Sequence, residues 1–224
     1  MIRHPHALGQ GMASDRSRSR LVQELKAEGI SSTEVLAAIE RVPRHQFVEE
    51  ALTSRAYDNT ALPIGYGQTI SQPLVVAWMT ELLIADGKPR EVLEVGTGSG
   101  YQTAVLAELG LTIYSTERLK PLHELARQRL RALRYTRVRL RLSDGTLGLP
   151  DYAPFEGIIV TAAAPIVPPA LLEQLRVGGR LIMPVGDRGI QRLVVMRRKE
   201  RGFEQKLHDA VSFVPLLPGI QQTE

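Results

Sequence analysis

The chain has 224 residues, of which 43% are hydrophobic and 23% are charged, as in a large soluble globular domain. It has no cysteine, so disulfides, thiolate metal ligands and a cysteine nucleophile are excluded. No apolar run approaches the roughly 20 residues that span a bilayer, and Met1–Arg20 lacks the apolar core of a secretory signal. We therefore expect a cytoplasmic protein with no membrane partner.

The net charge of +4 and the isoelectric point near 9.6 raise the question of a nucleic-acid partner. Much of the basic excess lies in one stretch, at Arg127, Arg129, Arg131, Arg134, Arg137, Arg139 and Arg141. Apolar residues recur there at helical spacing and then alternate with arginine, which predicts charges on the solvated faces of a helix and a strand. An electrostatic patch for acidic protein or nucleic acid is the alternative. Because only Tyr135 interleaves with these arginines, base stacking is disfavoured and we expect no nucleic-acid partner.

The first part of the chain predicts a tail, helices and a loop. We expect a flexible tail over residues 1–13 and helices over residues 14–56, with a capping box at 31–34 and a stop at Pro43. Residues 57–73 are rich in Gly, Pro, Asn and Thr, which predicts a loop, and an apolar helix follows from about Leu74 to Ile84. Residues 14–90 are thus expected to form an N-terminal helical cap over the carboxyl edge of a sheet, together with an active-site loop.

From Glu91 onwards, short apolar runs alternate with helical stretches. These are Val92–Val95, Gln102–Leu109, Thr112–Thr116, Leu119–Leu133, Val138–Leu142, Gly157–Thr161, Pro169–Leu175 and Arg180–Pro184. The alternation predicts the α/β class, with a doubly wound, mostly parallel sheet over residues 91–190. Gln191–Arg197 and Ala210–Val214, separated by the polar stretch Arg198–Asp209, predict a C-terminal β-hairpin within residues 191–217. Residues 14–224 are expected to form a single domain.

The most informative short segment is Val92–Tyr101, where an apolar run ends in a carboxylate and three alternate glycines. This order predicts a buried strand, a tight turn at Gly96, Gly98 and Gly100, and the N-terminus of a helix. Such a turn brings bare backbone and free N–H groups close to a ligand. A dinucleotide fingerprint would need glycine at position 101, where this chain has Tyr101. An ordinary strand–helix turn is the alternative interpretation.

Three carboxylates stand at successive strand ends, where a nucleoside cofactor would meet them. Glu94 is beside the glycine turn, Glu117 ends the second strand, and Asp144, followed by Gly145, comes after the third. A carboxylate at Glu117 can accept hydrogen bonds from both ribose hydroxyls, and Asp144 is placed to take the adenine amino group. Each alone has an alternative role as a turn or cap residue. The E-x-G-x-G-x-G spacing resembles the first motif of methyltransferases that use S-adenosyl-L-methionine.

A second segment, residues 62–73 around Gly-Gln-Thr-Ile-Ser-Gln-Pro, narrows the resemblance to one family. Further blocks lie at 41–44, 54–57, 94–102, 114–118, 158–165, 178–186 and 213–216. Over roughly residues 14–217, in unbroken order, these blocks resemble the protein-L-isoaspartate O-methyltransferases. The resemblance implies a Rossmann-like methyltransferase fold. It also implies transfer of a methyl group from S-adenosylmethionine to the free carboxylate of isoaspartyl residues in damaged proteins.

The resemblance also assigns roles to residues, with Ser71 at the active site. Cofactor contacts are expected at Thr69, Ile70, Gln72, Glu94, Gly96, Thr97, Gly98, Ser99, Gly100, Glu117, Asp144 and Gly145. A groove for the substrate backbone is implied at Ser71, Ala162, Ala163, Ala164, Val185, Gly186, Val214, Pro215 and Leu216. Without the resemblance, Ser71 would be interpreted as the N-cap of the helix that begins near Pro73.

The residue types suit the implied reaction. A carboxylate with a pKa of about 4 is already ionised at neutral pH, so the reaction needs no strong general base. The matched blocks contain no Ser/His/Asp relay, and the spacing of the five histidines supports no metal site. The implied partners are isoaspartyl proteins and peptides, whose methyl ester then closes to a succinimide and so begins repair. We expect the protein to be a monomer.

One loop departs from the family pattern. Ser143 precedes the Asp-Gly pair where family members usually have glycine, and residues 146–150 lack the aromatic residues expected there. The closest alternative function is methylation of nucleic acid or a small molecule. Amino-methylating nucleic-acid enzymes often carry a D/N-P-P-Y/F/W segment where residues 161–165 are small and non-aromatic. A non-enzymatic α/β domain that binds partners through its arginine-rich surface is the second alternative.

Overall fold

A computed structural model gives the fold of residues 6–187 and 190–222, with side chains described from Asp15 onwards. The N-terminal region contains α1 (His6–Ala27), α2 (Thr33–Arg41), 3₁₀ helices at Arg44–Phe47 and Glu50–Arg55, strands β1 (Leu62–Pro63) and β2 (Thr69–Ile70), and α3 (Pro73–Ile84). The flexible tail expected over residues 1–13 lies partly outside the described residues, and its remainder continues α1 from His6. The helix predicted after the capping box at 31–34 is present, but its N-cap is Ser32 and not Ser31, because the Ser32 hydroxyl accepts a hydrogen bond from the Val35 N–H at 3.3 Å.

The rest of the chain forms one seven-stranded sheet with flanking helices. Its elements are β3 (Glu91–Val95), α4 (Tyr101–Glu108), β4 (Thr112–Glu117), α5 (Lys120–Ala132), β5 (Val138–Leu142), β6 (Phe155–Val160), α6 (Pro169–Glu173), β7 (Leu175–Gly186), β8 (Gln191–Arg198) and β9 (Phe203–Val211). The strand order is β5-β4-β3-β6-β7-β8-β9, with parallel pairing from β5 to β7 and antiparallel pairing of β8 and β9. The predicted α/β class with a C-terminal hairpin is confirmed.

The second strand of the hairpin is not where the sequence predicted it. The polar stretch Arg198–Asp209 was expected to be a connection, but Phe203–Val211 forms β9, and only its last two residues fall within the predicted Ala210–Val214. The reason is that β9 is an edge strand with nearly every residue solvent-exposed or half-buried, so no apolar alternation marks it. Residues 212–214 continue instead towards the carboxyl ends of the central strands.

Alternate residues of β3 enter two hydrophobic cores, one on each face of the sheet. Val92 joins the core formed with α1 to α5, whereas Leu93 and Val95 join the core that includes Leu171 of α6. The period of two therefore places Glu94 on the α4 side. Helices α1 and α2 pack against α3 and α4, as a second layer on that face of the sheet.

The arginine-rich segment has the solvated faces that the sequence predicted. Its seven arginines are exposed except Arg129, which is half-buried. Arg139 stands 5.1 Å from the ring centre of Tyr114, and Arg141 stands 5.4 Å from that of Tyr152. Within residues 6–187 and 190–222, no helix is long and apolar enough to cross a membrane.

Candidate active site

The chain reverses direction across the sheet at β3 and β6, which creates a crevice at their carboxyl ends. From β3 it proceeds outwards to β4 and β5, and it then returns to the other side of β3 as β6. Ligands of open α/β sheets bind at such a switch point. The glycine turn after β3 and Thr161 after β6 both lie there.

Positive φ angles and close backbone contacts explain the glycines of the turn. Gly96, Gly98 and Gly100 have φ values of +97°, +52° and +92°, which side chains rarely tolerate. The Thr161 hydroxyl donates a hydrogen bond to the Gly96 carbonyl at 2.7 Å, and a Cβ on Gly96 would collide with that hydroxyl. Gly100 has a different function, because a Cβ there would crowd Leu130 of α5. The third glycine therefore permits close helix packing.

Glu117 is oriented towards the turn by three backbone donors. Its Oε2 accepts the Gly98 N–H at 2.8 Å, and its Oε1 accepts the N–H groups of Arg118 and Leu119 at 2.8 and 3.0 Å. The residue is 6% exposed and lines the crevice. This arrangement holds a carboxylate beside the glycine turn, as predicted for a group that receives ribose hydroxyls.

Glu94 is fully buried on the α4 side of β3 and contacts other protein groups. Its Oε2 accepts hydrogen bonds from the hydroxyls of Thr103 at 2.5 Å and Ser115 at 2.6 Å, while its Oε1 has no hydrogen-bond partner among the described residues. Burial raises the pKa of Glu94 to about 7, although both hydroxyls oppose the rise. The Ser115 hydroxyl also lies 2.6 Å from the Thr97 hydroxyl, so a chain of hydrogen bonds through Ser115 links Glu94 to the glycine turn.

Asp144 binds the C-terminal segment. Its Oδ1 accepts hydrogen bonds from the N–H of Thr146 at 2.9 Å and from its hydroxyl at 2.6 Å, and its Oδ2 accepts the Gly219 N–H at 2.7 Å. Burial alone would raise the pKa of Asp144, but these hydrogen bonds outweigh it and the pKa is lowered. Asp144 therefore caps the short 3₁₀ helix at Gly145–Leu147, which is the alternative role that the sequence left open. The neighbouring Gly145 lines the crevice.

A cavity in the crevice collects most of the predicted cofactor residues, and we call it the cofactor cavity. It is lined by Thr69, Ile70, Gly96, Thr97, Gly98, Ser99, Glu117 and Gly145 from that prediction, and by Ser71, Ala162, Val214, Pro215 and Leu216 from the predicted catalytic and substrate sets. Gln72, Glu94, Gly100 and Asp144 lie outside this lining. The free volume of this cavity is about 90 Å³.

A second, larger cavity of about 720 Å³ lies on the other side of Ser71, and we call it the outer cavity. Its lining comprises Thr60, Ala61, Thr69, Ser71, Gln72, Val75, Thr161 and residues 210–214. Thr69, Ser71, Thr161 and Val214 line both cavities. Ser71 thus stands in a shared wall.

The N-cap of α3 is Gln72, so the interpretation of Ser71 as the helix cap is wrong. Asn59 from the preceding loop acts at this helix end, because its side-chain oxygen accepts the Leu74 N–H at 3.0 Å and its carbonyl accepts the Gln72 amide at 3.0 Å. Ser71 is therefore not needed to terminate the helix.

The segments predicted to form the substrate groove lie together and partly pair with one another. The Ala163 N–H donates to the Val214 carbonyl at 2.8 Å, and the Leu216 N–H donates to the Ala163 carbonyl at 2.7 Å. The Gly186 N–H donates to the Ala164 carbonyl at 3.0 Å, next to a bridge between Ala164 and Val185. Ala163, Val185 and Gly186 line neither cavity, so they support the walls that Ala162 and Val214 present.

Several lining residues were missed by the sequence reasoning. They are Gln68, Val76, Val95, Tyr101, Gln102, Thr116, Arg118, Thr161 and Leu217. For Thr161, a signal was present, because it ends the predicted strand over 157–161 at the carboxyl edge. Leu217 had none, since only tertiary contacts bring the C-terminal segment over β4, where the Arg118 guanidinium donates to the Gly219 carbonyl at 3.1 Å.

The residues of the cofactor cavity fit S-adenosylmethionine. A Cβ on Gly145 would run into Val95 and Thr116, so glycine is needed here for the backbone that lines the cavity to pack closely against β3 and β4. Glu117 supplies an oriented carboxylate suited to a ribose diol, and Ile70 and Leu216 supply apolar surface. Among the described residues, no cluster of three or more His, Asp or Glu side chains could hold a metal ion.

Comparison with known proteins identifies the family of the chain. The family model described as protein-L-isoaspartate(D-aspartate) O-methyltransferase matches residues 16–221. A protein-L-isoaspartate O-methyltransferase of Halorhodospira halophila is 57% identical over 97% of this chain and 99% of its own length. One from Alkalilimnicola ehrlichii is also 57% identical, over 94% of this chain and 96% of its own length.

Solved structures extend the agreement to the fold. One named protein-L-isoaspartate O-methyltransferase has a TM-score of 0.81 and 27% identity over 88% of this chain, which spans 65% of that structure's length. A Plasmodium falciparum protein assigned to the same family, solved with S-adenosyl-L-homocysteine, has a TM-score of 0.78 and 25% identity over 88% of this chain and 97% of its own. Since the family match includes the glycine turn, Ser71 and both cavities, this chain belongs to the protein-L-isoaspartate(D-aspartate) O-methyltransferase family.

Proposed function

We propose that this chain is a protein carboxyl methyltransferase that transfers a methyl group from S-adenosylmethionine to the free carboxylate of isoaspartyl residues in damaged proteins. The observation that carries the proposal is the position of Ser71 in the wall between the cofactor cavity and the outer cavity. A methyl donor on one side and an acceptor on the other would meet at this residue.

The cofactor side uses residues already fixed by their neighbours. Glu117 accepts hydrogen bonds from the ribose hydroxyls, the turn at Gly96–Gly98 passes the methionine part, and the backbone at Gly145 lines the adenine end of the cavity. When bound, the cofactor supplies an electrophilic methyl group on a positively charged sulfur.

The acceptor side requires alignment more than proton transfer. The isoaspartyl carboxylate has an ordinary pKa of about 4, so it is ionised at neutral pH. Holding nucleophile and methyl carbon in line makes the reaction effectively unimolecular, worth up to about 7–11 kcal/mol. The Ser71 hydroxyl donates a hydrogen bond that orients the carboxylate, and the loop over residues 57–72 excludes water from it. The small side chain of Ala162 and the backbone of residues 214–216 let an extended peptide come close.

Esterification gives the carboxyl group a better leaving group, so the next backbone nitrogen can attack the ester carbonyl and expel methanol. A succinimide then closes and hydrolyses without the enzyme, which returns part of the damaged chain to the aspartyl form. Isoaspartyl proteins and peptides are the proposed partners, with no nucleic acid and no membrane. We also propose that residues 14–224 act as a single methyltransferase domain, in a cytoplasmic monomer.

Labelled S-adenosylmethionine with paired isoaspartyl and aspartyl peptides tests the function. We expect base-labile label in the isoaspartyl peptide alone, because a methyl ester hydrolyses readily in base. An RNA substrate belongs in the same experiment. Label in RNA, equal label in both peptides, or base-stable label would contradict the proposal.

A further inference from the structure

Arg44 is a fully buried arginine at the junction of three loop segments beside Ser71. Its Nε donates to the Ala56 carbonyl at 2.9 Å, and its Nη2 donates to the carbonyls of Ser71 at 2.8 Å and Thr60 at 3.3 Å. A single guanidinium therefore ties the 3₁₀ helix at 44–47 to both ends of the loop that carries Ser71. The planar fork of arginine makes this possible, since one group offers donors in several directions.

The other side of Arg44 contacts the cofactor cavity. Its guanidinium carbon lies 4.5 Å from the ring centre of Tyr101, a cation–π distance. Tyr101 is the first residue of α4 after the glycine turn, is 2% exposed and lines the cofactor cavity. Arg44 thus contacts both the acceptor loop and the cofactor wall.

The charge of Arg44 has no carboxylate to balance it among the described residues, where the ion pairs involve other arginines and lysines. Burial lowers the pKa of Arg44 to about 10, and the neighbouring Tyr101 partly offsets that effect, so the group is protonated at neutral pH. A buried cation without a counter-ion is destabilising. Arg44 binds the carbonyl of Ser71, so a carboxylate that binds the hydroxyl of the same residue would bring a negative charge near the guanidinium.

We propose that Arg44 is a positioning residue for the methyl acceptor: it fixes the main chain at Ser71, and its uncompensated charge favours an anionic acceptor there. This rests on the proposed role of Ser71 in methyl transfer. The two effects are separable, because lysine keeps the charge but cannot reach three carbonyls with one ammonium group.

The test compares Arg44→Met, Arg44→Lys and the matched control Arg180→Met. Arg180 also donates to a main-chain carbonyl, that of Leu82 at 2.8 Å, but it pairs with Asp86 and lies away from both cavities. For each variant we would measure kcat and KM for an isoaspartyl peptide, the Kd of S-adenosyl-L-homocysteine by calorimetry, and Tm.

For Arg44→Met we expect kcat/KM to fall on the order of 30-fold or more, as loss of a charge interaction across several ångströms of protein implies. Part of this loss should be a higher peptide KM, while the Kd of S-adenosyl-L-homocysteine stays within about threefold. Arg44→Lys should restore KM to near the wild-type value but leave kcat about tenfold low, since the charge returns without the fork. Arg180→Met should lower Tm without changing kcat/KM.

Three outcomes would overturn the proposal. They are a kcat/KM of Arg44→Met within threefold of wild type, a parallel loss of S-adenosyl-L-homocysteine affinity, or wild-type kinetics in Arg44→Lys. If Arg44→Met does not fold, Arg44→Lys decides alone. A kcat about tenfold below that of the wild type supports the proposal, and a wild-type kcat contradicts it. If the wild-type enzyme itself fails to methylate the isoaspartyl peptide, the proposed function fails, which is distinct from any difference between variants.

Discussion

Replacement of Glu94 by glutamine should remove a pH dependence of stability that comes from one buried carboxyl group. Glu94 is fully buried, one of its oxygens has no partner, and burial raises its pKa from 4.5 to about 7. An acid whose pKa is raised on folding is stabilising below its unfolded pKa and loses that contribution as the pH rises through the folded value. Between pH 4.5 and about 7 the folded state holds a proton that the unfolded state has released.

The size of the effect follows from the two pKa values. Since each tenfold change in proton affinity is ~1.4 kcal/mol, the wild type should lose about 3 kcal/mol of unfolding free energy between pH 5 and pH 8 that Glu94→Gln does not lose. The amide oxygen of glutamine can still accept hydrogen bonds from Thr103 and Ser115, but its NH₂ is buried where Oε1 had no partner. Because the NH₂ brings two N–H donors where the protonated acid of the wild type has one O–H, the variant should be less stable at pH 5 by about 1–3 kcal/mol.

Urea unfolding of both proteins at pH 5, 6, 7 and 8 measures this difference, provided the m-values agree. We expect the variant to be less stable at pH 5 and equal to or more stable than the wild type at pH 8. Parallel stability curves, with a difference constant to within about 1 kcal/mol across this range, would refute the reasoning. They would mean that the pKa of Glu94 in the folded protein lies near its unfolded value, so that the group is ionised in both states across this range.

Three further substitutions test the active site. Ser71→Ala should lower kcat about 10–100-fold through loss of a hydrogen bond to an ionised acceptor, with the Kd of S-adenosyl-L-homocysteine nearly unchanged; equal loss of both would show that its role is different. Glu117→Gln cannot accept from Gly98 and from Arg118 and Leu119 together, so calorimetry should show cofactor affinity reduced about 10–100-fold, and an unchanged Kd would exclude the ribose contact. Gly145→Ala puts a Cβ against Val95 and Thr116, which should lower the free energy of unfolding by about 1–3 kcal/mol. Scanning calorimetry should then show a Tm lowered by about 2–4 °C for each kcal/mol, and an unchanged Tm would mean that the cavity wall adjusts without cost.

The parts of this fold that the sequence predicts well are those with a strong local signal. The buried strand before the turn and the glycines themselves depend on hydrophobic pattern and φ angle, which neighbouring residues dictate. Glu117 lies at the crevice, as its position at a strand end predicts, because the strand ends of a parallel sheet share one edge.

The parts that the sequence misses are set by distant contacts. Arg44 reads as a surface residue by type, and only the fold shows that it is buried against Tyr101. Asp144 is predicted to contact the adenine, and only the fold shows that its Oδ2 also accepts the Gly219 N–H from the far end of the chain. β9 has no apolar alternation because neither face of this edge strand is fully covered.

The two outer strands of the sheet bear on how copies of this protein behave at high concentration. An edge strand with free N–H and C=O groups is a template for pairing with another molecule, and charged side chains discourage such pairing. β5 presents Arg139 and Arg141 to solvent, and β9 presents Glu204 and Lys206. Two copies meeting along β5 would bring like charges face to face. The same arginines that give the chain its basic character therefore act as protection against aggregation through the sheet edge.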